Sequence, residues 1–280
     1  MTGVRAAGPE ALVPGAWATT AGAGVGEHVV LPCTGIVVVL RELTGADERT
    51  ATGTSTAAAL ALLDRLVVGA APPAATLPSA DRDRLLLAAH RRAFGDRVEA
   101  TLTCCSCGDP FDLDFTLTAL DGALLRDRDR TPADEHGHYR ASGVGVFRLP
   151  TGRDELAVAD LEPKAAAIAL QDGCVVDAGP DFDADTFQRV LDDIAPLADL
   201  DLDAPCPGCG NVQQVHFDIQ DWFLSALVAD RPRLLADVHR LATAYHWSPR
   251  DILGLPRGER RELVTLVEAD AATAVGRRWT

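Results

Sequence analysis

Two stretches of this chain, TCCSCGDPFDLDFTL (103–117) and PCPGCGNVQQVHFDI (205–219), lie over each other without a gap. Cys104 and Cys107 fall on Cys206 and Cys209, Gly108 on Gly210, Leu113 on Val215, Phe115 on Phe217 and Leu117 on Ile219. Each copy reads as a CxxCG knuckle followed by a strand whose alternate residues share a face. A tetrahedral zinc ion takes four ligands, with thiolate sulfur at about 2.3 Å, and a CxxC turn offers two of them from one tight loop. The glycine after each pair permits the positive φ that turns the chain back into the strand. The knuckles therefore predict one four-cysteine site on Cys104, Cys107, Cys206 and Cys209. Such a site forces two distant segments to meet: the halves of a split zinc ribbon, 101–117 and 204–219, with 118–203 inserted between them.

Competing readings of a CxxC pair make different demands. A redox pair, to which Pro207 and Gly208 would suit the second knuckle, sits at the start of a helix in a βαβ unit, whereas β-alternating residues follow both pairs here. Pro205-Cys206-x-x-Cys209 also fits half of the zinc deaminase signature, but no histidine of the chain has a glutamate two places on. Four thiolates leave a zinc ion no open position for substrate, so the predicted Zn2+ is structural. Cys105 is a spare sulfur that could substitute as a ligand; Cys33 and Cys174 read as single buried thiols.

The chain has 280 residues, 47% of them hydrophobic, enough to bury one or two cores. Its formal charge of -15 and its single lysine, Lys164, argue against a nucleic-acid partner, because a phosphate-binding face needs clustered cations. The longest apolar run, VVLPCTGIVVVL (29–40), is interrupted by Pro32 and too short to cross a bilayer. No signal-peptide order precedes it, and paired CxxC motifs then point to a reducing, cytoplasmic setting.

The predicted fold class is α+β, the ribbon flanked by helices and followed by a C-terminal helical region. Residues 1–27 read as a flexible tail, in which Gly22, Gly24 and Gly26 do not fit a nucleotide loop. Residues 28–100 hold a strand at 36–40, a turn at Gly45, and two helices, Ser55 to Gly69 and Ser79 to Gly95, each opened by its serine cap. His90 on the second helix reads as exposed or half-buried. The linker 126–138 is polar, so His136, His138, Asp134 and Glu135 read as a solvated loop rather than a metal cluster. Residues 144–161 predict a strand, a turn at Pro150 to Gly152 and a helix start. The eight aspartates of 181–203 read as a solvated acidic face, since EF-hand spacing is absent. From 220 to 280 the chain reads as helical, with a stripe of Phe223, Leu227, Leu234, Leu235, Val238 and Leu241, a break near Pro232 and a helix start at Ser248. Tyr245, His246 and Trp247 read as an aromatic wedge between helices. No GxSxG, HExxH or P-loop is present, so no catalytic residue and no enzymatic activity is predicted.

Taken in order, LRELTGADE (40–48), HRRAFGDR (90–97), CCSCGDPFDLDF (104–115), FRLPTGRDEL (147–156), CPGCGNVQQVHFDI (206–219) and AYHWSPRDILGLPRGERRELVTLV (244–267) resemble one family. It is the T-even-type phage baseplate proteins, in the form found in bacterial gene clusters for phage-tail-like contractile injection systems. The resemblance spans most of 40–270 and leaves out the tail, the linker 126–138 and Cys105. It implies a non-enzymatic component of the baseplate or hub, or a factor that assembles it, partnered by other baseplate, hub or tube proteins and carried in the finished particle or acting before it forms. The alternative is a zinc-ribbon adaptor or regulator unrelated to phage tails, touching nucleic acid through local cations such as Arg257, Arg260 and Arg261.

Overall fold

A computed structural model of the chain describes residues 26–126 and 128–276. The tail expected at 1–27, with Gly22 and Gly24, therefore lies almost wholly outside the described residues. The long apolar run becomes a hairpin: β1 (Glu27–Val30) pairs antiparallel with β2 (Val37–Leu40), and Pro32 sits in the turn, where no ladder N–H is required. The predicted turn at Gly45 is instead the first residue of a helix, α1 (Gly45–Thr50). Thr44 and Asp47 form a reciprocal capping box that satisfies orphan N–H groups at that helix start. Then come α2 (Thr56–Leu66), capped by Ser55 as expected, β3 (Val67–Val68), a short 3-10 turn (Ala74–Thr76) and α3 (Ser79–Phe94). Ser79 is not the cap of α3: Pro78 holds that position, and the serine hydroxyl donates to Glu155. β4 (Arg97–Thr103) and β5 (Pro110–Thr116) form the first knuckle hairpin, followed by α4 (Leu117–Arg126).

The chain then runs through the same order again. The second series is β6 (His138–Ala141), β7 (Gly145–Arg148), α5 (Gly152–Val158), α6 (Pro163–Cys174), β8 (Val175–Ala178), α7 (Ala184–Ile194), β9 (Asp199–Pro205), β10 (Val212–Asp218) and α8 (Ile219–Ala229). The sheets match as well: β1-β2-β3 and β6-β7-β8 are both antiparallel three-stranded sheets made of a hairpin and a strand that returns after two helices. Side chains repeat atom for atom. Arg41 grips Asp47 through two nitrogens, at 2.6 and 3.0 Å, and donates to the Glu42 carbonyl; Arg148 grips Asp154 at 2.7 and 2.7 Å and donates to the Leu149 carbonyl. The repeat is thus written in the sequence as R-x-x-T-G-x-D-E at 41–48 and 148–155, a unit much larger than the knuckles.

The halves interlock through these motifs. Helix α5 lies on α2 and the 3-10 turn, and a Cβ on Gly152 would come within 2.8 Å of Leu60. Helix α1 lies in the same way on the last segment of the chain, α9 (Arg231–Tyr245) and α10 (Pro249–Gly254), where a Cβ on Gly45 would meet Leu253 at 2.9 Å and Leu234 at 3.2 Å. The next helix in each case starts after Leu-Pro and donates its first N–H to the motif: Ser79 to the Pro150 carbonyl at 3.0 Å, and Arg257, the first residue of α11 (Arg257–Gly276), to the Leu43 carbonyl at 2.7 Å. Arg82 and Ser79 then pair with Glu155, as Arg260 and Arg257 pair with Glu48. The C-terminal helices therefore play toward α1 the part that α2 and α3 play toward α5. Glycine at both helix starts is required by this close approach, and Gly152→Ala is expected to destabilise by about 1–3 kcal/mol through overpacking. Urea midpoints would show it against Gly53→Ala, where nothing lies within 4 Å; equal midpoints would refute the contact.

Several expectations change with this packing. Arg257 and Arg260 are 2% and 1% exposed and face carboxylates inside the protein rather than a solvent-facing ligand, while Arg261, half-buried, shares Asp230 with Arg257. Leu235, expected in the core stripe, is 60% exposed; Asp237 is buried in its stead and lies 3.7 Å from Arg260. The break near Pro232 holds: α8 ends at Ala229 and Pro232 lies in the first turn of α9. Trp247 packs with Leu241, Ile252 and Val264, and His246 ends α9 with φ 57, so the aromatic junction is a wedge. Ser248 caps α10, with Pro249 in its first turn, as expected.

Both gripped aspartates also set an acid limit. Arg148, with help from Thr151, holds Asp154 down to about 2, and at Asp47 the Arg41 and Thr44 hydrogen bonds overcome a burial effect that would raise it, again to about 2. A carboxyl depressed in the fold contributes stability above its ordinary range and loses it as pH falls through the folded value. Unfolding titrations should show stability falling between about pH 4 and pH 2, and Asp154→Asn should flatten that limb.

Candidate metal centre

The two knuckles are the tips of matching hairpins. β4 and β5 pair from Arg97↔Thr116 to Thr103↔Pro110; β9 and β10 pair from Asp199↔Asp218 to Pro205↔Val212. Both turns are built alike. Cys104 N–H donates to the Asp109 carbonyl at 2.9 Å and Gly108 N–H to the Cys104 carbonyl at 3.0 Å; in the second, Cys206 donates to Asn211 at 2.8 Å and Gly210 to Cys206 at 2.9 Å. Gly108 and Gly210 have φ of 79 and 74, the region in which glycine is free of strain, as their spacing predicted. One detail differs from expectation. Leu117 and Ile219 do not end the strands but begin α4 and α8, and both are fully buried, which turns each hairpin base into the helical core.

Between the hairpins Phe115 and Phe217 meet edge to face at 5.2 Å, and Trp222 of α8 lies 6.1 Å from Phe217. Nearer the tips Phe111, Ala204, Cys104 and Cys206 form a small core of their own. This apolar contact brings the tips together. The four Sγ atoms of Cys104, Cys107, Cys206 and Cys209 all lie within 4.8 Å of one another. Across the hairpins Cys104 stands 3.6 Å from Cys209 and Cys107 stands 3.8 Å from Cys206. Sulfurs from both hairpins thus share one site, an arrangement that suits a bridging ion. Backbone N–H groups of Cys107 and Ser106 pull the Cys104 thiol down to about 6, whereas at Cys107 the Asp109 N–H is outweighed by desolvation and the neighbouring cysteines, which push it up to about 12.

Among the described residues these four cysteines are the group able to hold a metal ion. Cys105 lies outside it: the thiol is exposed, its N–H donates to Gln213 of the other hairpin at 2.9 Å, and Asn211 donates to its sulfur at 3.4 Å. Cys105→Ser should leave the metal content of purified protein unchanged by elemental analysis; a fall would make Cys105 a ligand. His136 and His138 donate backbone N–H groups to Asp134 at 2.8 and 2.9 Å, which makes 134–138 a hydrogen-bonded loop. The aspartates of 181–203 divide between α7, where Asp183 is the N-cap, and β9, where Asp199 and Asp201 flank His216 at 3.2 and 3.3 Å. His90 is more buried than expected, at 3% exposed between Phe94 and Phe223, and burial lowers it to about 4. Cys174 is buried as expected and Cys33 only half-buried; burial pushes Cys33 up to about 12 and Cys174 to about 11, which does not suit nucleophiles.

The sequence reading missed the Glu48 and Glu155 anchors, although the repeated octapeptide was there to find. No helix among the described residues is long and apolar enough to cross a membrane. Comparisons with protein families, with curated proteins and with solved structures find no match to this chain.

Proposed function

We propose that this chain is a non-enzymatic, zinc-stapled component of a phage-tail-like contractile injection system, placed in the baseplate or hub or needed to assemble it. The observation that carries the staple is the crossed four-sulfur cluster. A tetrahedron with zinc–thiolate bonds of about 2.3 Å has edges of about 3.8 Å, and the crossed sulfurs stand at 3.6 and 3.8 Å. All four positions of such an ion are filled by protein, which suits a split zinc ribbon whose ion braces two hairpins rather than one that activates water.

The contractile-tail assignment rests on the family resemblance, and the residues that carry it are keystones of the fold. LRELTGADE and FRLPTGRDEL are the two gripped, capped helix starts, and the WSPRDILGLPRGERR segment supplies α10 and the arginines that close on Glu48. These positions carry long-range contacts of the fold, and that supports reading the resemblance as one of architecture. The adaptor reading loses its cationic face, because Arg257 and Arg260 are internal. A tagged pull-down from the native host in mild salt tests the assignment. Recovery of sheath, tube, spike or wedge proteins is expected; recovery of unrelated cytosolic proteins alone would overturn it.

A further inference from the structure

Internal duplication makes it possible to ask what each half has that the other lacks. In the first half the cleft beside α2 and α3 is filled by α8, whose Phe223, Leu224 and Leu227 are 0 to 2% exposed. Phe223 reaches between His90 and Phe94 of α3 at 5.8 and 6.3 Å, and Gln220 donates to the Thr54 carbonyl ahead of α2 at 2.9 Å. Helix α4 also packs on α3. Both helices that leave the knuckle hairpins are therefore spent on the first half, and neither makes a comparable contact with α6 or α7.

In the second half a cavity of about 320 Å³ lies between α6 and α7, walled also by Ser79 and Ala80 at the start of α3 and by Pro150 and Glu155. Ile168 and Leu170 of α6 and Phe187 and Leu191 of α7 line it. Counted from the caps Ser55 and Glu162, Leu170 holds the position of Leu63, which is fully buried in the first half. Ile168 is 52% exposed, and most of α6 faces solvent. Asp192 lines the cleft, and α6 and α7 together carry four aspartates, Asp172, Asp185, Asp192 and Asp193, against Lys164 and Arg189, in a chain of net charge -15.

We propose that this cleft is a docking site for an amphipathic helix of another protein. The helix presents an aromatic–leucine face like that of α8 and carries basic residues at its flanks. In its other half the chain covers the matching helix pair with α8, the cleft presents Ile168, Leu170, Phe187 and Leu191, and the excess of aspartates on α6 and α7 favours basic flanks. The inference is independent of the contractile-tail reading.

The test uses the full chain and a fluorescein-labelled peptide of residues 219–229 with two lysines added at each end. Fluorescence anisotropy should show saturable binding that weakens at least tenfold with Ile168→Glu, stays unchanged with Val30→Glu on β1, 65% exposed, and weakens as salt rises. Absence of binding, or binding that Ile168→Glu or a scrambled peptide leaves unaltered, would overturn the proposal. Sedimentation of the chain alone provides the other arm: a concentration-dependent dimer abolished by Ile168→Glu would make a second copy the occupant and would also overturn it.

Discussion

Cys206→Ser is expected to abolish metal binding at the proposed zinc site and to loosen the joint between the two hairpins. A hydroxyl is a poor substitute for a thiolate, and a closed four-sulfur site that loses one ligand binds far more weakly, so binding energy that had been folding energy is lost. Elemental analysis should fall from about one zinc per chain to near none, and thermal unfolding should begin earlier, with the hairpins more open to proteolysis. Cys174→Ser is the informative control. Cys174 is 1% exposed in the core of the second half, where a hydroxyl without a partner costs about 1–3 kcal/mol. The contrast therefore lies in metal content, which Cys174→Ser should leave intact. Metal-free parent protein, with Cys206→Ser melting alongside it, would rule out the staple.

Glu48→Gln should cost more than any other single change outside the cysteines. Glu48 is 3% exposed and accepts from Arg257 and, at 2.6 Å, from Arg260; Arg257 also reaches Asp230 at 2.5 Å. Neutralising it leaves Arg260, 1% exposed, with Asp237 at 3.7 Å as its remaining acidic partner. Removing one member of a buried ion pair typically costs about 3–5 kcal/mol, because the surviving charge stays desolvated. Glu155→Gln, at the matching place in the other half, should cost less, since the Glu155 side chain is 21% exposed and Ser79 stands where Arg257 stands. Urea unfolding of the two variants decides it; a Glu48→Gln cost below about 1 kcal/mol would show that the network contributes little to holding α11 against α1.

The difference between those two glutamates shows where reading a sequence succeeds. The knuckles were legible because metal ligation and positive φ are local demands, met by Cys, Cys and Gly at fixed spacing whatever surrounds them. The starts of α2, α10 and α9 were legible for the same reason, each set by a cap or a proline acting within one turn. The turn expected at Gly45 failed because its glycine serves a contact with Leu253 and Leu234, not a bend. Leu235 and Asp237 exchanged places because α9 must turn a carboxylate toward a buried guanidinium, a need that hydrophobic periodicity does not express.

The sequence by itself determined the four cysteines with their repeated knuckles, the α+β character and the starts of α2, α9 and α10, whereas the repeated R-x-x-T-G-x-D-E was recognised only once the fold had set its two copies side by side. Tertiary structure alone decided that Arg257 and Arg260 are internal, that α4 and α8 both serve the first half, and that α6 is left facing solvent. The physical reason is range. Caps, knuckles and turns are satisfied by atoms a few residues away, whereas an arginine leaves water only if a carboxylate meets it, and for Arg257 that carboxylate lies 209 residues earlier in the chain.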